Sequence, residues 1–443
     1  HVQAPQVQEE EKIKGLEPSV SDLPETRMLY YEDPYLSEFE ARVLRVLDGQ
    51  YVVLDKTAFY PEGGGQPADH GSLEFDRGRL EVVDVQKIGN VIVHVVKGSL
   101  TLKSGSRVKG SVDWERRSSL MKHHTATHVV NGAARRVLGQ HVWQAGSQKD
   151  VDKTRLDVSH FKRISLEEMH EIERLANEAV IRNIPVQTMW MPRMEAERQY
   201  GFRLYQGGVV PGKEIRVVKT GDWEVEACGG THLKNTGEIG LIKIIHTERI
   251  QDGVERIVFS AGLEALKVIQ SRDELLTKVS EKLNAPLEKL ETTAERLMTE
   301  LKAIRPEKER LTKELAKFTA KECLKTAKKV HEIKLIAQPV RQATDLSSLI
   351  YTGSQITSSD PNTITVLGTI IDNNARIVVF IGSGAIDVGA NAQEIAKTTG
   401  SVLGGSGSGK RDFAQAGGPL TENLEKALQK AEETIRKQLE ARK

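Results

Sequence analysis

Cysteine is nearly absent: two, Cys228 and Cys323, stand in 443 residues. That excludes a disulfide framework and points to a reducing compartment, the cytoplasm. An excess of one charge is missing too. The 63 Lys and Arg residues stand against 62 Asp and Glu, a net of +1, so no overall basic field announces a polyanion and any such partner must be met by local patches. No apolar run approaches the ~20 residues that span a bilayer, and the start has no leader-like pattern, so no membrane partner is expected. An initiating methionine is also lacking; the chain begins at His1, as a piece of something longer would. Its length suits about two to four domains, each with its own core.

What is present begins with two short stretches. His123-His-Thr-Ala-Thr-His128 places His124 and His128 four apart, so on a helix their rings project from one face. His123 lies off that face. Cys228-Gly-Gly-Thr-His232 repeats the same gap in a turn. Either half alone is more often a surface or core pair. Together, three imidazoles and a thiolate make a tetrahedral set suited to one Zn2+ rather than magnesium or calcium.

The chain divides by pattern. Residues 1–27 are polar and without period, a linker. Residues 28–112 carry short β-type runs bounded by Gly, Asp-Gly or Gly-Asn, as in a small antiparallel barrel or sandwich. Among them lies Pro61–Gly71, where Gly63, Gly64 and Gly65 precede Gln66; such a run offers either a mobile turn or backbone N–H groups for a ligand. Residues 113–262 read as an α+β domain. Its first helix is capped by Asp113 and stopped by Gly139, with Leu120, Thr127, Val130, Ala134 and Leu138 on the apolar side. A strand opening near Gln144 follows, then a helix with a Ser165/Glu168 capping box, then strands around Cys228 and His232.

Residues 263–332 are charged and helical. Leu276, Leu283, Leu290, Leu297, Ile304, Leu311 and Phe318 recur every seventh position, with Lys308 breaking the second seam. Pro306 predicts a hairpin bent near residue 305, a straight self-associating coil being the alternative. Residues 333–443 form a mixed α/β domain that includes the glycine string 401–418. Lys410 and Arg411 beside that string suit a phosphate backbone, and no Walker pattern is present.

The glycine loop, the histidine pair, Gln144 and the Cys-Gly-Gly-Thr-His turn, in that order, resemble the C-terminal half of alanyl-tRNA synthetases of archaeal type, from about Leu23 to the end. They are similar also to free-standing alanyl-tRNA editing proteins. The resemblance implies a multidomain α+β chain: a β-barrel, a zinc-containing editing domain, a helical stalk and a glycine-rich C-terminal domain. It implies metal ligation by His124, His128, Cys228 and His232, and substrate contact by Gly63, Gly64, Gly65, Gln66 and Gln144. It also implies tRNA contact by Gly404, Gly405, Lys410 and Arg411, and a homodimer through the stalk and C-terminal domain. The implied activity is hydrolysis of serine or glycine wrongly esterified to tRNA(Ala), because a pocket built for a methyl group rejects an added hydroxyl weakly and cannot shut out something smaller. Ligation of alanine with ATP would belong to the longer parent.

Two other functions compete. One is a non-catalytic tRNA-binding and dimerisation module with an architectural zinc. The other, a zinc protease, is disfavoured because His-Thr-Ala-Thr-His lacks the glutamate base of His-Glu-x-x-His. No residue stands out as general base.

Overall fold

The computed structural model describes residues 15–76, 78–98, 102–205, 212–343 and 345–440. Two compact units result, His1–Val279 and Ser280–Lys443. Among the described residues no helix is long and apolar enough to cross a membrane.

The first unit opens with six strands, β1 (Glu38–Leu47), β2 (Tyr51–Leu54), β3 (Gly71–Phe75), β4 (Gly78–Ile88), β5 (Val91–Lys97) and β6 (Arg107–Val112). They close into an antiparallel barrel in the order β1-β2-β5-β4-β3-β6. Asp48 and Gly49, both at positive φ, make the tight β1–β2 turn. Inward residues such as Val52, Leu54, Leu73, Leu80 and Ile92 fill the barrel. The opposite faces of β2 and β5 carry Tyr51, Val53, Val93 and Val95, and these are covered by Leu16 and Val20. Burial on both faces explains why β5 reads as a continuous apolar run.

The expected linker 1–27 is corrected here. Residues 1–14 lie outside the described residues, but Glu17–Val20 is a helical turn packed on the barrel, Asp22 pairs with Arg45 at 2.6 Å, and Arg27–Met28 pairs in parallel with Lys56–Thr57. The outer apolar face of β2 and β5 needs a cover, and Leu16 and Val20, one turn apart, supply it.

Helix α1 (Trp114–Leu138) follows, capped by Asp113, which accepts from Arg116 N, and ended by Gly139 at φ 117°. With α2 (Leu166–Ile181) it packs against the four-stranded sheet β12-β13-β8-β7, formed by β7 (Gln144–Lys149), β8 (Thr154–Ser159), β12 (Ile242–Gln251) and β13 (Val254–Ala261). A three-stranded sheet, β9 (Val186–Pro192), β10 (Glu214–Thr220) and β11 (Glu224–Ala227), leads into the Cys228 turn. Arg117, fully buried in α1, ties this lobe to the barrel: it forms an ion pair with buried Asp69, and its Nη1 and Nη2 donate to Pro34 O at 2.9 Å and Ala58 O at 2.6 Å.

The division between the units falls inside helix α4 (Leu263–Leu283), and α5 (Leu290–Lys325) follows it, both numbered after the short α3 (Arg193–Tyr200). The expected bend near residue 305 is corrected: α5 runs unbroken through Pro306, and the interruption lies at 284–289. Asn284 at φ 46° stops α4, and Ala285 precedes Pro286, which disfavours helix at that step. Pro306 removes only the bond to the Lys302 carbonyl. Both residues are exposed, so water can satisfy that oxygen.

The second unit holds a six-stranded sheet, β14-β15-β16-β17-β19-β18, made of β14 (Lys328–Val330), β15 (Ile333–Pro339), β16 (Thr363–Ile371), β17 (Asn374–Ile381), β18 (Ser406–Gly409) and β19 (Phe413–Gly418). Helix α6 (Leu346–Ser359) crosses between the parallel β15 and β16, while α7 (Ala392–Val402) and α8 (Leu424–Glu440) cover the sheet. The glycine string is therefore an edge hairpin. At Gly407 a Cβ would collide with the Ala396 carbonyl, so the bare backbone lets β18 lie directly on α7.

Candidate metal centre

His124 and His128 stand one turn apart on the buried face of α1, and the turn after β11 brings Cys228 and His232 to them. Arg216 Nη1 donates to Cys228 O and Gly230 O, both at 2.9 Å, and fixes that turn. The four side chains are buried, and their donor atoms lie within 4.8 Å of one another. Cys228 Sγ is 3.2 Å from His124 Nε2 and 3.4 Å from His232 Nε2. In a tetrahedral site with ~2.0–2.3 Å bonds the donors stand about 3.3–3.8 Å apart, so little closure is needed to hold a divalent ion.

The remaining ring nitrogens face partners that orient them. His124 Nδ1 donates to Gln66 Oε1 at 2.7 Å, His128 Nδ1 meets Glu226 Oε2 at 2.6 Å, and His232 Nδ1 lies 3.4 Å from Thr125 Oγ1. This is the outer ring of contacts that metal-binding histidines require. His128 Nε2 is buried without a hydrogen-bond partner among the described residues. An orphaned nitrogen aimed at three other donors fits a metal ion.

Charge follows the same logic. Burial holds His124 and His232 well below the usual imidazole range, hence neutral. Burial also opposes charge on His128, but the Glu226 carboxylate outweighs it and pushes His128 up to about 10. Burial would raise the Cys228 thiol; the neighbouring His128 overcomes this and lowers it towards the thiolate.

Beside the cluster a cleft of about 520 Å³ is lined by Tyr31, Gly63, Gly64, Gln144, Ser147 and Cys228, among others. A larger hollow of about 740 Å³ near His70 and Arg155 lacks the His and Cys set. Gly63 and Gln66 exchange both main-chain hydrogen bonds at 3.0 Å, with Gly64 and Gly65 at positive φ between them. The amides of Gly64 and Gly65 have no partner among the described residues. Gly65 is also required by contact, since a Cβ there would strike the Ser147 carbonyl.

Gln66 departs from its expected role. Its side chain is fully buried and spent, accepting from His124 and from Thr231 N at 3.2 Å while donating to Thr231 Oγ1 at 2.9 Å. It orients a ring rather than touching substrate. Gln144 does line the cleft, with Nε2 donating to Ser147 Oγ at 3.1 Å and Oε1 buried without a partner. His123 is accounted for structurally: Nδ1 donates to Ser119 O at 2.9 Å and Nε2 accepts from Ala261 N at 3.2 Å.

The expected RNA contacts lie in the second unit. The Gly404 and Gly405 amides are already bonded, to Ser401 O at 3.2 Å and Gly400 O at 2.9 Å, which removes them as phosphate donors. Lys410 and Arg411 stand exposed in the β18–β19 turn. Glu226, Thr125, Ser147 and Lys149 escaped the sequence. Glu226 alone left a trace, since Glu224 and Glu226 alternate along β11 and so share one face.

Residues 215–258, which include Cys228 and His232, match the family described as the threonyl and alanyl tRNA synthetase second additional domain. Residues 333–437 match the DHHA1 domain, and 4–116 match the class II (A) tRNA synthetases. An alanine–tRNA ligase from Pyrococcus abyssi is 50% identical over 408 residues, covering 92% of this chain and 43% of that protein. The chain belongs to the alanyl-tRNA synthetase family. Its Pyrobaculum aerophilum relative, also an alanine–tRNA ligase, is 60% identical over 255 residues, 57% of this chain and 28% of that one. The chain thus spans less than half the length of these alanyl-tRNA synthetase relatives. Among solved structures, the C-Ala domain of Aquifex aeolicus alanyl-tRNA synthetase is similar at 19% identity over 25% of this chain and 97% of its own, with a TM-score of 0.23.

Proposed function

We propose that this chain is the proofreading half of an alanyl-tRNA synthetase, hydrolysing the ester that joins serine or glycine to tRNA(Ala) in the cytoplasm. The observation that carries it is the shared cleft: Gly63, Gly64, Gln144 and the metal-donor Cys228 line one hollow. His124, His128, Cys228 and His232 would hold Zn2+, the ion that a three-nitrogen, one-sulfur set suits best. When bound, zinc supplies a fixed positive charge at the base of the cleft. Four protein ligands close such a site, which favours orientation of the substrate end over activation of water.

The chain's own residues do the rest. The free amides of Gly64 and Gly65 can donate to an oxygen of the substrate end, where charge grows as the carbonyl is attacked. Gln144 Oε1 can accept from a seryl hydroxyl, which an alanyl group does not have. Water adds to the carbonyl and the bond to the ribose breaks, releasing the free amino acid and an intact tRNA. No side chain is assigned as general base.

Lys410 and Arg411 would meet the tRNA backbone. On α5, Met298, Leu301, Ile304, Leu311, Leu315 and Phe318 are between 44% and 64% exposed, a stripe that supports dimer formation through the stalk.

The test is deacylation by the purified, zinc-loaded chain. Ser-tRNA(Ala) should be hydrolysed and Ala-tRNA(Ala) spared, with Gln144→Leu eroding the preference while keeping the metal. A zinc-loaded chain inert on Ser-tRNA(Ala) and Gly-tRNA(Ala) would leave the competing function, a tRNA-binding module with architectural zinc.

A further inference from the structure

Lys149, the last residue of β7, is buried, and among the described residues no carboxylate forms an ion pair with it. Its Nζ donates to Gly64 O at 2.9 Å and to Ser147 Oγ at 2.7 Å, while its main-chain N donates to Gly65 O at 2.7 Å. One residue therefore holds the Gly64 and Gly65 carbonyls of the loop and a hydroxyl of the cleft wall. An ammonium can only donate. Gln144 Nε2 also donates to Ser147 Oγ. With both lone pairs of that oxygen occupied, the Ser147 proton has to be offered elsewhere, and Ser147 borders the cleft. Turning the Gln144 amide over would bury two unpaired N–H donors where one unpaired oxygen now stands.

We propose that Lys149 is a positioning residue that sets the hydrogen-bond polarity of the cleft wall, so that Ser147 presents a donor and Gln144 Oε1 an acceptor to the bound aminoacyl group. This rests on the proofreading function proposed above. A donor beside an acceptor is complementary to a hydroxyl, which can both accept and donate. An alanyl methyl can do neither, and a glycyl group gains nothing from this wall. The relay therefore concerns the choice of seryl over alanyl, and not of glycyl.

The test is calorimetric binding of two non-hydrolysable probes, 3′-amide-linked seryl-adenosine and alanyl-adenosine, to the zinc-loaded full chain. The intact protein should prefer the seryl probe by about tenfold or more, the worth of one or two hydrogen bonds. Lys149→Met and Ser147→Ala should each bring the ratio of seryl to alanyl affinity close to parity, with zinc content kept. Lys149→Met added to Ser147→Ala should change nothing further, and Ser147→Thr, which keeps the hydroxyl, should retain the preference. A preference that survives either Lys149→Met or Ser147→Ala overturns the inference, as does its absence from the intact protein. Should Lys149→Met lose zinc or fold, Ser147→Ala against Ser147→Thr decides it alone. If the preference depends on Lys149 and Ser147 but Ser-tRNA(Ala) is not hydrolysed, the proofreading function falls and the polarity relay stands.

Discussion

Gln66 Oε1 accepts from His124 Nδ1 at 2.7 Å, so a loop of the barrel fixes the tautomer of a ring on α1, 58 positions further along. That bond leaves His124 Nε2 turned towards Cys228 Sγ. Gln66→Ala should cost about 10–100-fold in metal affinity, the usual loss when such an orienting partner is removed. Competition with a chromogenic chelator measures it. Unchanged affinity would mean that α1 and the Cys228 turn hold the ring unaided.

Metal removal should destabilise the first unit selectively. At free zinc ~1,000-fold above the dissociation constant, the bound ion stabilises the folded chain by about 4 kcal/mol. Scanning calorimetry with and without chelator should show the corresponding fall in Tm. In Cys228→Ser the two scans should converge.

His94 gives the barrel a dependence on acid. The ring is fully buried, its Nδ1 donates to Val52 O at 3.0 Å, and its Nε2 lies 2.8 Å from Thr57 Oγ1. Burial lowers its pKa from 6.5 to about 4. Between those values the unfolded chain takes up a proton that the folded barrel refuses. Stability is thus intact above about 6.5 and falls as pH drops towards 4, by roughly 3 kcal/mol. Urea midpoints at pH 7 and pH 4.5 should show the loss, and His94→Gln should shrink the difference between them.

Pro306→Ala should stabilise α5 by up to ~3 kcal/mol, because it restores the N–H that the Lys302 carbonyl lacks, at an exposed position. Hydrogen exchange of the amides around residues 302–310 is the readout. No gain in protection would show that the helix already opens elsewhere.

The four-residue cluster was legible because its chemistry is local, with spacing and residue type sufficient to place His124, His128, Cys228 and His232 in one group. The caps of α1 were legible for the same reason, since Asp113 and Gly139 act within one turn. What orients the donors was not. Gln66 turns inward and Glu226 closes on His128 only when barrel, helix and β11 meet. Pro306 misled because its cost depends on exposure, which a heptad pattern does not report, whereas Asn284 at positive φ ended α4 with less sequence emphasis. The glycine string 401–418 reads as a setting for phosphate contact, yet at Gly407 the bare backbone lies against the Ala396 carbonyl.

The burial of Arg117 has a consequence for dissecting the molecule. Its guanidinium takes its counter-charge from Asp69 and its acceptors from Pro34 and Ala58. A truncated protein started at residue 113 would lose every one of those partners, and a cation and surface that are buried in the whole chain would meet water instead. The barrel is an internal scaffold for the histidine helix, and the helix should be less stable without it.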